Sequence, residues 1–115
     1  MKTHEMKLKP EPFEMIKNGQ KTIELRLLDE KRRQIKVGDG IVFTNTETGE
    51  TLAVEVTALY VFSSFDELYR SLPLRKCGYT EETLDKASPS DMERYYSAEE
   101  QKQYGVVGIA LFLHK

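Results

Sequence analysis

The longest regular pattern in the chain is the run from Thr51 to Phe62. Leu52, Val54, Val56, Ala58, Tyr60 and Phe62 fall on one side of a period-two repeat, and Ala53, Glu55, Thr57, Leu59 and Val61 fall on the other. β-Branched and aromatic residues are frequent in it, so it reads as a strand. A strand of this length exceeds the usual run and twists as it goes, so it must curl or carry a bulge. Its second side turns apolar after Thr57, as expected of a strand covered on both faces where a sheet closes towards a barrel.

The rest of the chain supplies partners for such a strand. His4, Met6 and Leu8 alternate with Glu5, Lys7 and Lys9, predicting a short strand with one buried face. Pro10-Glu11-Pro12 stops it and opens a helix that turns Phe13 and Ile16 inward. Asn18-Gly19 ends that helix. Ile23, Leu25 and Leu27 then form the core face of a second strand, with Thr22, Glu24 and Arg26 on the other face and Lys21 at the entry. Asp29 to Gln34 is a charged loop, Val37-Gly38-Asp39-Gly40 a turn, and Ile41-Val42-Phe43 a buried strand. Thr46 to Gly49 has the chemistry of a turn leading into the long strand.

After that strand, Ser64 with Glu67 predicts a capping box, and the helix it starts points Phe65, Leu68 and Leu72 inward until Pro73. Leu74 to Tyr79 is a loop, and Thr80, Ser88 and Ser97 each signal the start of a short helix. Val106 to Leu113 is apolar on both faces and reads as a central strand. The expected architecture is one α+β domain over residues 1–115: a small mixed, mainly antiparallel β-barrel flanked by helices, with a helical insertion before the last strand.

Composition narrows the function. A formal net charge of −2 argues against holding long duplex nucleic acid by bulk charge, while leaving room for a local basic patch. Cys77 is the only cysteine, so neither a disulfide framework nor a thiolate metal cage is available. His4 and His114 lack metal-ligand spacing and there is no glycine-rich phosphate loop, so no metal and no cofactor is expected. No apolar run approaches the ~20 residues that cross a bilayer, and no hydrophobic segment follows Met1 to Glu5. The expectation is a cytoplasmic protein without a membrane partner.

The polar row Lys21, Thr22, Glu24 and Arg26 has two readings. On a solvated face, Lys21 is a cation favoured by the preceding helix C-terminus, and Glu24 with Arg26 is a surface pair contributing about 0–1 kcal/mol. Around a shared hollow, which is the reading favoured, Arg26 grips a phosphate or carbonyl oxygen with two parallel donors. Glu24 then accepts from an exocyclic amine or serves as general base. Lys31, Arg32, Arg33 and Lys36, with Lys21, Arg26, Arg70, Arg75 and Lys76, can form one basic rim against the acidic segment from Glu81 to Glu100. Arg33 is the loop residue assigned to ligand contact. Of Tyr95, Tyr96 and Tyr104, two are expected in the core and Tyr104 is expected to stack a base or offer its hydroxyl to the cleft.

Gly19-Gln20-Lys21-Thr22-Ile23-Glu24-Leu25-Arg26 resembles the glycine-x-lysine-x-x-glutamate-x-arginine signature of the ASCH (activating signal cointegrator homology) family. The turn Ile35 to Asp39, the helix from Ser64 and the closing Tyr104 to Ile109 stand in the order of small stand-alone prokaryotic members, so the resemblance spans nearly the whole chain. It implies a PUA-like barrel, like the RNA-binding domains of pseudouridine synthases and archaeosine transglycosylases. The cleft beside the signature strand would take RNA, a nucleotide or a modified nucleoside. Some small members hydrolyse the acetyl amide of acetylated cytidine with the signature lysine, a threonine and a glutamate, and others are assigned ribonuclease activity. Lys21 matches that lysine, and the place of the threonine is taken here by Glu24. The resemblance therefore implies an RNA- or nucleoside-binding protein, with an amidohydrolase on acylated cytidine or a metal-independent ribonuclease as alternatives. In either enzyme Lys21 and Glu24 would be the catalytic pair.

Overall fold

The computed structural model describes residues 1–114. Among the described residues five strands form one sheet: β1 (Thr3–Leu8), β2 (Ile23–Leu27), β3 (Gly40–Asn45), β4 (Thr51–Phe62) and β5 (Val106–Leu113). Their order across the sheet is β1-β3-β4-β5-β2. β1 and β3 run parallel, and every other neighbouring pair is antiparallel. The sheet curls into a half-barrel, bringing its edge strands β1 and β2 towards each other. Among the described residues four helices accompany it: α1 (Pro10–Lys17), α2 (Phe65–Ser71), α3 (Glu81–Leu84) and α4 (Ala98–Tyr104). The parallel β1–β3 pair requires a crossover, and α1 with β2 supplies it.

The curl has a local cause in β4. The ladder to β5 slips between Val56, opposite Leu111, and Ala58, opposite Ala110, leaving Thr57 as an unpaired extra residue. The bulge resets the alternation, so Leu59 rather than Ala58 continues the inner face begun by Val54 and Val56. The apolar change after Thr57 therefore marks an exchange of faces rather than cover on both sides. Tyr60 and Val61, expected to be covered, are 42% and 59% exposed.

Two cores share the sheet. Inside the curl, Met6, Leu8, Phe13, Ile16, Ile35, Ile41, Phe43, Val54, Val56, Val107, Ile109 and Leu111 pack between the sheet and α1. On the other side of β2 and β5, Ile23, Leu25, Leu27, Phe65, Leu68, Tyr69, Cys77 and Val106 pack with α2 and the helical insertion. Burying one phenylalanine fully contributes about 1.5–3 kcal/mol, and Phe13, Phe43 and Phe65 are all fully buried. Gly108 makes the second core possible: a Cβ there would stand 2.7 Å from Leu72 Cδ1 and 3.2 Å from Ile23 Cγ2.

Short-range signals place the insertion. Thr80, Ser88 and Ser97 each close a capping box on the residue three places on, Thr83, Asp91 and Glu100. Ser64 caps α2 by accepting from the Glu67 N–H at 3.3 Å, but the Glu67 carboxylate takes the Ser63 hydroxyl instead, so only half of the expected box forms. The Tyr79 hydroxyl donates to Asp91 at 2.7 Å and lies 2.6 Å from the Tyr69 hydroxyl, fixing the insertion to α2. In the turn before β3, Asp39 accepts from the Lys2 and Lys36 N–H groups at 3.2 and 3.0 Å. It also meets His4 Nε2 at 2.8 Å, with both side chains buried.

Candidate functional site

The chain leaves α1 through Asn18 and Gly19, where φ is 88° at Gly19, and Asn18 Oδ1 accepts from the Gln20 N–H at 2.8 Å. The Lys21 N–H then donates to the Met15 carbonyl at 2.9 Å, tying the start of the signature to the helix. The Thr22 and Ile23 N–H groups both donate to the Lys76 carbonyl, at 2.8 and 2.9 Å. The turn after Pro73 is thus bonded directly to the mouth of β2.

From that frame β2 points its side chains two ways. Ile23, Leu25 and Leu27 enter the second core beneath α2. Glu24 stands opposite Ile109 and Arg26 opposite Val107, so both share the side of the first core, at the open seam between β2 and β1. The Glu24 carboxylate, in a residue only 4% exposed, lies between two cations: Lys21 Nζ at 2.8 Å from Oε1 and Arg26 Nε at 2.7 Å from Oε2. Arg26 Nη2 continues across the seam and donates to the Lys7 carbonyl of β1 at 3.0 Å.

The electrostatics follow from this arrangement. Burial alone would push the Glu24 carboxyl up, but the Lys21 ammonium and the Arg26 guanidinium more than offset it and hold the group below the ordinary carboxylate range. For Arg26, burial works against the charge, and Glu24 together with the Tyr96 hydroxyl outweighs it, raising the guanidinium further. Two cations around one carboxylate leave one uncompensated positive charge. Cys77, beside this cluster, is buried and its thiol is pushed up to about 11 by that burial, so it is not a ready nucleophile. Gly78, at φ 110°, lets the turn lie against Lys21: a Cβ there would be 3.2 Å from Lys21 Cδ.

Of the residues singled out by sequence, Lys21, Glu24 and Arg26 come together. They close on one another rather than ring an empty hollow. A depression of about 500 Å³ begins one residue away and is lined by Gln20, Arg75, Lys76, Tyr79, Thr80 and Glu81 among others. Arg75 and Glu81 pair across it. Thr22 is half-buried at the entry, its carbonyl accepting from the Leu111 N–H at 2.8 Å. Arg33 and Tyr104 sit beyond the opposite end of β2. The Arg33 guanidinium donates to the Leu28 carbonyl at 3.0 Å and the Tyr104 carbonyl at 3.3 Å, and the Tyr104 ring packs against the second core. Among the described residues no group of three or more His, Cys, Asp or Glu side chains is placed to hold a metal, and no helix is long and apolar enough to cross a membrane.

Sequence reasoning missed the Lys7 carbonyl, Tyr96 and the Lys76–Gly78 turn. The first is a backbone group and carries no residue signal. The other two reach the seam only through tertiary packing of the insertion.

Comparison with known proteins adds the relatives. The ASCH domain family model matches residues 6–113. The crystal structure of hypothetical protein PH0355 superposes with a TM-score of 0.81 at 38% identity, covering 97% of this chain and 99% of that one. The solution NMR structure of protein PF0455 from Pyrococcus furiosus gives 0.75 at 39% identity, covering 98% of each. The crystal structure of the ZmASCH S128A mutant from Zymomonas mobilis gives 0.71 at 16% identity, covering 99% of this chain and 70% of that one. At that identity the likeness is one of fold. No curated protein matches.

Proposed function

The chain belongs to the ASCH domain family, and on that premise we propose that it binds single-stranded RNA, or its nucleotides and modified nucleosides, at the Lys21 end of the β1–β2 seam. The PUA-like fold of the family is generally one of RNA-binding type, which supports the ligand class. The observation that carries the reading is the buried Lys21–Glu24–Arg26 triad at an opening in the sheet. Burying three charges costs more than burying apolar side chains of the same size, so stability alone gives no reason to keep them. The surplus positive charge and the adjoining depression of about 500 Å³, a volume typical of ligand sites, suit one nucleotide unit.

Binding is favoured over catalysis by the state of the carboxylate. A general base works best with a pKa near the operating pH, and Glu24 is held below even the ordinary carboxylate range. Nucleophilic lysines are desolvated in apolar surroundings or set beside another cation, whereas Lys21 is paired with a carboxylate.

The test is a titration of labelled single-stranded RNA at several salt concentrations with the wild type and Lys21→Ala. The expected log–log slope is about −2 to −4, since few phosphates are neutralised at ~0.7 each. Equal affinity of the two proteins would sink the placement. Release of acetate from acetylated cytidine, or cleavage of the RNA itself, lost in Lys21→Ala, would replace binding by hydrolysis.

A further inference from the structure

The helical insertion sends an aromatic ladder from the second core to the surface beside this seam. Phe65, wholly buried, is stacked with Tyr96 at a centroid separation of 6.0 Å and an interplanar angle of 19°. Tyr96 meets Tyr95 at 6.4 Å and 55°, and its hydroxyl faces the Arg26 guanidinium. Tyr95 is the outermost ring, 52% exposed. Lys9, just past the end of β1, holds Nζ 5.9 Å from the Tyr95 centroid, and Arg94 holds Cζ at 6.0 Å. Both cations are themselves exposed.

Tyr95 is braced from below by the Tyr96 ring rather than loose. Its cations stand near the outer limit of cation–π contact, about 6 Å, so they flank the ring without covering it. A braced aromatic face with positive charge at its margin is the arrangement that binds single strands: any base offers a π face to the ring, and the backbone follows the cations. Tyr104, the ring that sequence order favoured for this task, packs against the second core.

Resting on the RNA reading above, we infer that Tyr95 is the stacking platform for one base of a single-stranded RNA, with Lys9 and Arg94 taking the phosphates beside it. The strand would then run from Tyr95, past Arg26 and Lys21, towards the depression at Lys76.

The test uses fluorescence anisotropy with a labelled oligouridine and an abasic oligomer of the same length, on the wild type, Tyr95→Ala, Tyr95→Phe and Lys21→Ala. Tyr95→Ala weakens oligouridine binding about tenfold or more, while Tyr95→Phe binds as the wild type does. The abasic oligomer binds the wild type and Tyr95→Ala alike. Lys9→Ala and Arg94→Ala each lower the salt slope by about 0.7. Thermal melts confirm that the surface substitution leaves the fold intact. Loss in Lys21→Ala with none in Tyr95→Ala overturns the platform and leaves the seam reading standing. Equal loss on the abasic oligomer also overturns it, because charge rather than stacking would then explain the effect. A wild type that binds neither oligomer removes the seam reading and the platform with it.

Discussion

Arg26 joins the two edges of the sheet: from β2 its Nη2 donates to the carbonyl of Lys7 on β1, at 3.0 Å. The same guanidinium holds Glu24 through Nε at 2.7 Å, so one side chain serves the seam and the triad together. Arg26→Ala removes both contacts and leaves the buried carboxylate to Lys21 alone, with an expected loss of about 1.5–3 kcal/mol by urea denaturation. Arg26→Lys keeps the charge without the fork and recovers only part of the loss. A lysine variant as stable as the wild type would show that the tie across the seam is idle.

Glu24→Gln separates a binding triad from a catalytic one. The amide leaves Lys21 and Arg26 without their shared anion, so stability falls by about 3–5 kcal/mol. The local positive charge increases, and RNA affinity in the folded variant is therefore retained or raised. If Glu24 were a base, hydrolysis would vanish with affinity unchanged; parallel binding and turnover assays distinguish the two. The wild-type carboxyl lies below its ordinary range, so its contribution to stability is present above that range and is lost as pH falls through the folded value. The variant lacks that acid limb.

Gly78→Ala acts on function through the lysine stem. At φ 110° an alanine is strained, at about 1–2 kcal/mol, and its Cβ presses on Lys21 Cδ. Ligand affinity is expected to fall by more than the modest drop in melting temperature accounts for. Gly49→Ala, strained at φ 77° but open to space, is the control that loses stability alone.

Asp39, just before β3, predicts a second acid transition. His4, then the Lys36 and Lys2 N–H groups, hold its carboxyl at about 2, below the ordinary 3.8. A depressed folded value means that the unfolded chain binds the proton more readily, so stability rises with pH across this interval. The contribution is whole above about pH 4 and fades as pH drops towards 2. Asp39→Asn should flatten urea midpoints measured between those limits and leave the slope at neutral pH unchanged.

Much of this fold could be read from local pattern. The alternation of Thr51 to Phe62 and the caps at Thr80, Ser88 and Ser97 place their elements directly, because strand period and cap chemistry act within a few residues. The grouping of Lys21, Glu24 and Arg26 was legible for the same reason. What alternation cannot say is which side of the sheet a face meets. Ile23 and Leu25 belong to the core under α2, and only the insertion, tens of residues later in the chain, decides that. The exchange of faces at Thr57 escaped because a single added residue leaves the composition of a strand unchanged. Cys77 lies in a stretch that reads as loop, yet it is buried, since the turn carrying it is bonded to β2 through the Lys76 carbonyl.

β1 is hydrogen-bonded to a neighbour, β3, on one side only, and its other edge looks onto the seam. A bare strand edge is a template on which a second chain can assemble. By occupying the Lys7 carbonyl, Arg26 denies a foreign strand its first bond, and the lysines on either side of Leu8 repel a like-charged intruder. The residue that tunes the triad thus also takes up an acceptor on which another strand could pair.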